Sequence, residues 1–204
     1  MIYSDDFVWL HVPKCAGTKI EKMFEKYYTD NKEIHQDPIG GSVVLWHDSV
    51  SERETRDPNF YLANRTVVCS IRRLPSWLIS RYNYEVQRSP ALAHRPERLL
   101  IGRFLEQRGS ENHADAVIKK YLPESILSSS KVRFIRTEFF EIDFKSVFGD
   151  YVDISLIPDS EFGVKENSSR NFVSPKTRKA LYDNLSSLYQ ACPYWKIVED
   201  IAYR

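Results

Sequence analysis

Cysteine is scarce in this chain of 204 residues: Cys15, Cys69 and Cys192 are an odd number, with no C-x-x-C pair among them. That excludes a disulfide framework, and it leaves a structural zinc site without the spacing it needs. Histidine is equally thin, at five scattered residues, so no metal centre is legible. No apolar run approaches the roughly 18 residues of a membrane-crossing helix. The opening Met1-Ile2-Tyr3-Ser4-Asp5-Asp6 lacks the basic start and apolar stretch of a secretion signal, and the expectation is a cytoplasmic protein without a membrane span. Nor is there an excess of charge of one sign: 29 basic residues meet 28 acidic ones, for a net charge of +1. A generic nucleic-acid binder draws its affinity from a broadly basic surface, so that class is set aside. Repeats, low-complexity tracts and Gly/Ser/Pro linkers are missing too, which predicts one domain over residues 1–204.

What is there is the composition of a folded enzyme-sized domain. Apolar residues make up 42% and aromatics 13%, which excludes a disordered chain. A chain of this length buries roughly 70% of the surface it exposes when unfolded. The even charge balance also conceals a segregation. Between Arg72 and Arg108 eight arginines face three glutamates, a local net of +5, while from Glu138 to Glu161 seven acids face Lys145 alone, a local net of −6. Such runs are either solvated faces or, for the middle third, an anion-binding wall.

Hydrophobic periodicity predicts alternating strands and helices. Phe7–Val12 reads as a buried strand ending at Pro13. Ile20, Met23, Phe24, Tyr27 and Tyr28 then form the apolar stripe of a helix opening near Thr18. Val43–Trp46, Thr66–Ile71 and Lys131–Arg136 read as further strands. Helices are predicted from Pro75 to about Gln87, as a pair across 97–122 divided near Gly109-Ser110, from Phe139 to Phe148, and from Ser174-Pro175 to about Gln190. This alternation predicts an α/β domain with a mainly parallel central sheet flanked by helices. Ligands of such sheets bind at the carboxyl ends of the strands.

Two strand ends carry chemistry. The first is His11-Val12-Pro13-Lys14-Cys15-Ala16-Gly17-Thr18, between the first strand and the first helix. A glycine turn at a helix start offers backbone N–H groups to an anion, and Lys14 and Thr18 add a charge and a hydroxyl. The lysine precedes the glycine, so this is not the triphosphate loop G-x-x-x-x-G-K-[ST]. The motif P-K-x-x-G-T directly after an apolar strand resembles the 5′-phosphosulfate loop of sulfotransferases, most closely that of the carbohydrate O-sulfotransferases. One departure is Lys19, where that family usually has Ser or Thr.

The resemblance implies a P-loop-like sulfotransferase fold and a cosubstrate, 3′-phosphoadenosine 5′-phosphosulfate, with adenosine 3′,5′-bisphosphate as product. It implies that Lys14, Cys15, Ala16, Gly17, Thr18 and Lys19 cradle the 5′-phosphosulfate. It also implies an arginine at a later strand end and a serine eight residues on, together holding the 3′-phosphate. Arg72 and Ser80 have that spacing, and the stretched R-R-L-P leaves Arg73 as a rival to Arg72. By the same resemblance His47, 25 residues before Arg72, is the general base, with Asp48 beside it to orient it. His35 is the reserve, and His11 is assigned to the strand end and its packing. Lys14 is expected to stabilise the leaving phosphate, and Arg170 to lie in a loop that closes over the nucleotide. The implied acceptor is a hydroxyl compound, of carbohydrate type. Two other readings stay open: a small-molecule kinase or other phosphate-loop enzyme, and a non-catalytic nucleotide- or glycan-binding module. A thiol-nucleophile reading of Cys15 ranks below the anion cradle.

Overall fold

Phe7, Val8, Trp9 and Leu10 are all fully buried, which is the environment of a strand covered on both faces. In the computed structural model, which describes residues 1–38, 45–90, 96–105, 110–128, 131–164 and 170–204, they form β2 of a five-stranded sheet. The other strands are β1 (Ile2–Tyr3), β3 (His35–Gln36), β4 (Thr66–Ile71) and β5 (Val132–Arg136), in the spatial order β3-β1-β2-β4-β5. β2, β4 and β5 pair in parallel, with Leu10 opposite Cys69 and Cys69 opposite Phe134. β1 pairs antiparallel to both β2 and β3. The class is therefore α/β, but the sheet is mixed rather than mainly parallel. The strands that make it so are two residues long, too short to show any periodicity in the sequence.

The sheet belongs to the first of two compact units, Met1–Ile71 with Glu124–Glu166. Its helices are α1 (Gly17–Tyr27), α2 (Val50–Arg56), α5 (Glu124–Leu127), α6 (Phe140–Phe148) and α7 (Asp159–Gly163). The apolar stripe of α1 supplies Ile20, Met23 and Phe24 to a core shared with Phe7, Trp9, Phe144 and Phe148. There the rings of Phe24 and Phe148 meet edge to face at 4.9 Å between centroids. α2 begins in a capping box: the Ser49 side chain accepts from the Glu52 amide, and the Glu52 carboxylate accepts from the Ser49 amide. The acidic run is locally neutralised. Asp143 pairs with Arg136, Glu141 and Asp159 with Lys145, Asp150 with Arg133, and Glu161 with Lys26.

The second unit, Arg72–Pro123 with Asn167–Arg204, is helical among its described residues. It holds α3 (Leu74–Arg88), α4 (Ala114–Tyr121), α8 (Pro175–Asp183), α9 (Leu185–Ala191) and α10 (Pro193–Ala202), with a 3-10 helix over Pro96–Ile101. Trp77 is its centre, packed on Trp195 at 4.5 Å and edge-on to Phe104 at 5.5 Å. Asp115 accepts hydrogen bonds from the amides of Tyr194 and Trp195, which caps α10.

Some expectations differ from what forms. Of the strand predicted over Val43–Trp46, residues 43 and 44 lie outside the described residues, and Leu45–His47 is a 3-10 turn leading into the α2 cap. The predicted helical pair across 97–122 forms as the 3-10 helix Pro96–Ile101, a 3-10 turn at Ser110–Asn112, and then α4. The single helix predicted to end at Gln190 is two, because Asn184 leaves helical geometry between α8 and α9. Pro193 then starts α10, which lies beyond that predicted end and whose tryptophan anchors the second core.

Beside the sheet edge, Asp37 is 3% exposed and bonds the Arg53 guanidinium, His35 Nε2 and the amino group of Met1. Burial alone would raise its pKa. The hydrogen bonds from His35, the amino group and Arg53 outweigh that and hold the carboxyl well below its ordinary value. A depressed carboxylate contributes stability that is complete above the unfolded-state value and is lost as pH falls through the folded one. Asp37→Asn is therefore expected to cost about 3–5 kcal/mol at pH 7, because Arg53 loses its buried partner. In thermal melts the gap to the parent protein should persist at pH 5 and narrow below about pH 4.

Candidate functional site

Leu10 is the last residue of β2 and Gly17 the first of α1, so the chain must reverse within six residues. It does so with two residues in the left-handed region, Lys14 at φ 67° and Ala16 at φ 64°. Neither is glycine, and each such residue costs about 1–2 kcal/mol. Strain of this kind gathers where backbone groups must be aimed at something. The helical ladder starts with the Lys19 and Ile20 amides donating to the Ala16 carbonyl, which places the Gly17 and Thr18 amides ahead of the first intrahelical acceptor. Lys14 and Thr18 are half-buried, and Cys15 is fully buried. Chemically this is an anion cradle: leading amides, the positive end of an 11-residue helix, and a lysine in the turn.

His11 lies underneath the cradle. A Cβ at position 17 would fall 1.8 Å from His11 Nε2, so glycine there is required by the ring that packs against it. The other ring nitrogen, Nδ1, is 2.7 Å from Glu21 Oε1, and both side chains are buried. Gly17 and Glu21 are four residues apart and share one face of α1, which is how a single imidazole reaches both. Sequence reading left Glu21 out. The signal was available, since Glu21 lies on the same helical stripe as Phe24 and Tyr28, where an acid needs a partner.

His47, at the end of the 3-10 turn, packs against this ring at a tilt, with centroids 4.3 Å apart, and its Nδ1 is 3.1 Å from the His11 carbonyl oxygen. A carbonyl only accepts, so Nδ1 carries the proton and Nε2 is the basic nitrogen of the neutral ring. The orienting contact described here is thus the His11 backbone. Asp48 sits 3% exposed with both oxygens 2.9 Å from Arg56 Nη1, and it belongs to the arginine cluster beside α2. Burial raises the Asp48 pKa, and Arg56 and Arg53 counter that. His35 stacks on Tyr3 and bonds Asp37, so the reserve base has a structural place at the sheet edge.

Lys19 goes elsewhere than the cradle with two of its donors. Its ammonium reaches the carbonyls of Phe162 at 2.5 Å and Val164 at 3.0 Å, and it lies 4.6 Å from the Phe140 ring centroid. The lysine that replaces the family's hydroxyl therefore staples α1 to the end of α7.

The carboxyl end of β4 neighbours that of β2, and Arg72 is the first residue beyond it. Arg72 and Arg73 both belong to the second unit. Arg73 Nη1 bonds Glu199 at 2.9 Å, and its guanidinium lies 3.8 Å from the Tyr203 ring centroid. The other Glu199 oxygen accepts from the Leu74 amide, so the start of α3 is already satisfied by a carboxylate. Arg72 keeps the eight-residue spacing to Ser80. Ser80, half-buried on α3, lies on a polar stripe with Ser76, Asn83 and Gln87. The segment from Arg170 docks along that stripe: the Arg170 amide donates to Gln87, the Phe172 amide to Asn83, and Tyr182 pairs with Ser76. This brings the Arg170 segment onto the helix that carries Ser80. Residues 165–169, which precede Arg170, lie outside the described residues.

Among the described residues, no cluster of three or more His, Cys, Asp or Glu side chains could hold a metal ion. No helix among them is long and apolar enough to cross a membrane.

The His11–Gly17 approach has a direct consequence. Gly17→Ala should lower stability by about 1–3 kcal/mol through overpacking. In a His11→Ala background the same change should be neutral or stabilising, because the ring is gone and Gly17 has no positive φ to preserve. Thermal melts of the four proteins measure the coupling, and equal costs in both backgrounds would contradict it.

Comparison with known proteins does not extend this picture: no family model matches the chain, and no curated protein or solved structure does.

Proposed function

We propose that the chain is a sulfotransferase that moves a sulfuryl group from 3′-phosphoadenosine 5′-phosphosulfate to a hydroxyl acceptor, of carbohydrate type, on a P-loop-like sulfotransferase fold. The observation that carries the reading is the strained loop after β2, with left-handed Lys14 and Ala16 at the head of α1, and with His47 held by that loop's own first carbonyl. The P-K-x-x-G-T resemblance thus coincides with anion-binding geometry and a pinned imidazole.

The residues present fit such a cosubstrate. The amides at Gly17 and Thr18, with the Lys14 ammonium, suit a 5′-phosphosulfate, whose reactive sulfuryl group is the chemistry it supplies. Arg72 and Ser80 suit the 3′-phosphate: a planar guanidinium fork and a neutral hydroxyl donor. Arg170 is assigned to the same end through its docking on α3.

The chain's own part in the reaction follows from charge. His47 Nε2 takes the proton of the acceptor hydroxyl as the oxygen becomes nucleophilic, while Nδ1–H stays on the His11 carbonyl and fixes the ring. Lys14 meets the charge that develops on the departing phosphate oxygen, an interaction that strengthens along the reaction coordinate. Cys15 is buried in the turn and acts through packing.

Adenosine 3′,5′-bisphosphate should bind and raise the melting temperature more than ATP with Mg²⁺ does. Preference for ATP with Mg²⁺ would overturn the reading in favour of a kinase. Arg72→Ala should weaken bisphosphate binding about tenfold to a hundredfold, whereas Arg73→Ala should change stability and leave binding within about threefold. His47→Gln should lower sulfate transfer to a carbohydrate acceptor panel by about 10²–10⁴-fold with bisphosphate affinity retained.

A further inference from the structure

His11 and Glu21 are a buried ionisable pair that the reaction just described does not consume. Their position is unusual because three separate parts of the site converge on one imidazole. Its Nδ1 is held by the Glu21 carboxylate at 2.7 Å. Its Nε2 edge occupies the volume that a side chain on Gly17 would need. Its backbone carbonyl receives Nδ1–H of His47 at 3.1 Å, and its ring meets that of His47 at a tilt of 48°. Trp9 stacks on it at 5.2 Å, and the indole N–H of Trp9 is tied to Ser70 Oγ at 3.0 Å. The imidazole is therefore packed between aromatic neighbours and held along one edge.

We propose that Glu21 and His11 form a positioning relay. Glu21 fixes the His11 ring, and the fixed ring sets both the path of the anion loop at Gly17 and the orientation and tautomer of His47. Glu21 and His11 touch neither substrate nor reacting atoms; they act through the loop and through His47. The relay deepens the sulfuryl-transfer reading and takes its catalytic meaning from it, but its geometry stands independently.

The physical reason for a hydrogen-bonded polar pair here, instead of an apolar one, is direction. A phenyl ring of the same size would fill the space beside Gly17 but would turn about its own axis. The Nδ1–H to carboxylate bond selects one orientation and one tautomer of the ring. Neutral imidazole in water favours the Nε2–H form, so His47 held as the Nδ1–H form needs a fixed acceptor. The His11 carbonyl is fixed only while its own side chain is anchored. Glu21 is itself seated by its helix, and its backbone carbonyl accepts from the Gln36 side chain on β3, so the anchor connects to the sheet edge.

The test reads the ring nitrogens of ¹⁵N-histidine-labelled protein by NMR, with no ligand added and His47 assigned by its loss in His47→Gln. In the parent protein His47 should carry its proton on Nδ1. In Glu21→Ala that signature should be lost, giving way to an Nε2–H-dominated spectrum. In Glu21→Gln, whose amide oxygen still accepts from His11, it should be retained. An unchanged His47 signature in folded Glu21→Ala overturns the relay. So does an Nε2–H form of His47 in the parent protein, a result that needs no variant to fold. Titration of parent and Glu21→Ala with adenosine 3′,5′-bisphosphate completes the experiment, with affinity expected to fall about tenfold or more in the variant as the loop loosens. If the parent protein fails to bind the bisphosphate, the sulfotransferase reading falls while the tautomer still decides the relay. Equal affinity in the two proteins removes the loop from the relay.

Discussion

The first unit depends on one close approach, that of the His11 ring to the backbone of Gly17. The ring occupies the space where any other residue would place a Cβ, and this lets α1 start directly beneath the end of β2. The strained turn at Lys14 and Ala16 is the local counterpart of that proximity, since six residues must leave a strand, reverse and enter a helix. Strain of this order persists only where the surroundings over-determine it. Here they do: β2 is fully buried, α1 is fastened through Ile20, Met23 and Phe24, and Glu21 holds the ring between them. The same arrangement gives His47 its acceptor, so loop geometry and imidazole orientation have a common origin.

Charge in this protein is used locally. The acidic run from Glu138 to Glu161 reads in sequence as a solvated face, but five of its seven carboxylates are paired with Lys26, Arg133, Arg136 and Lys145 around α6 and α7. In the second unit Glu199 takes the Arg73 guanidinium and the first amide of α3 together. Lys19 illustrates the same principle. Its charge is drawn to the carbonyls of Phe162 and Val164 at the end of α7.

Several of these features were legible from residues alone. The apolar run at Phe7, the stripe from Ile20 to Tyr28 and the strand ending at Ile71 have strong periodicity, and each formed where it was expected. The loop was legible because proline, lysine, glycine and threonine in that order leave few alternatives between a strand and a helix. The short strands β1 and β3 were not legible, since two residues carry no period. Of the strand expected over Val43–Trp46, Leu45 and Trp46 instead enter a 3-10 turn with His47, which leads into the Ser49–Glu52 capping box. One helix was expected from Ser174-Pro175 to about Gln190, but Asn184 divides it, and α10 follows from Pro193.

The sequence by itself determined the α/β class and the position of the loop between β2 and α1, because these follow from local pattern and local sterics. Only the tertiary structure decided which acceptor His47 faces, which carboxylate engages Arg73, and why position 17 must be glycine. Each of those depends on a partner distant in the chain: the His11 carbonyl for His47, Glu199 for Arg73, and the His11 ring for Gly17. Side-chain periodicity reports the face on which a residue lies, but not which group waits on the other side.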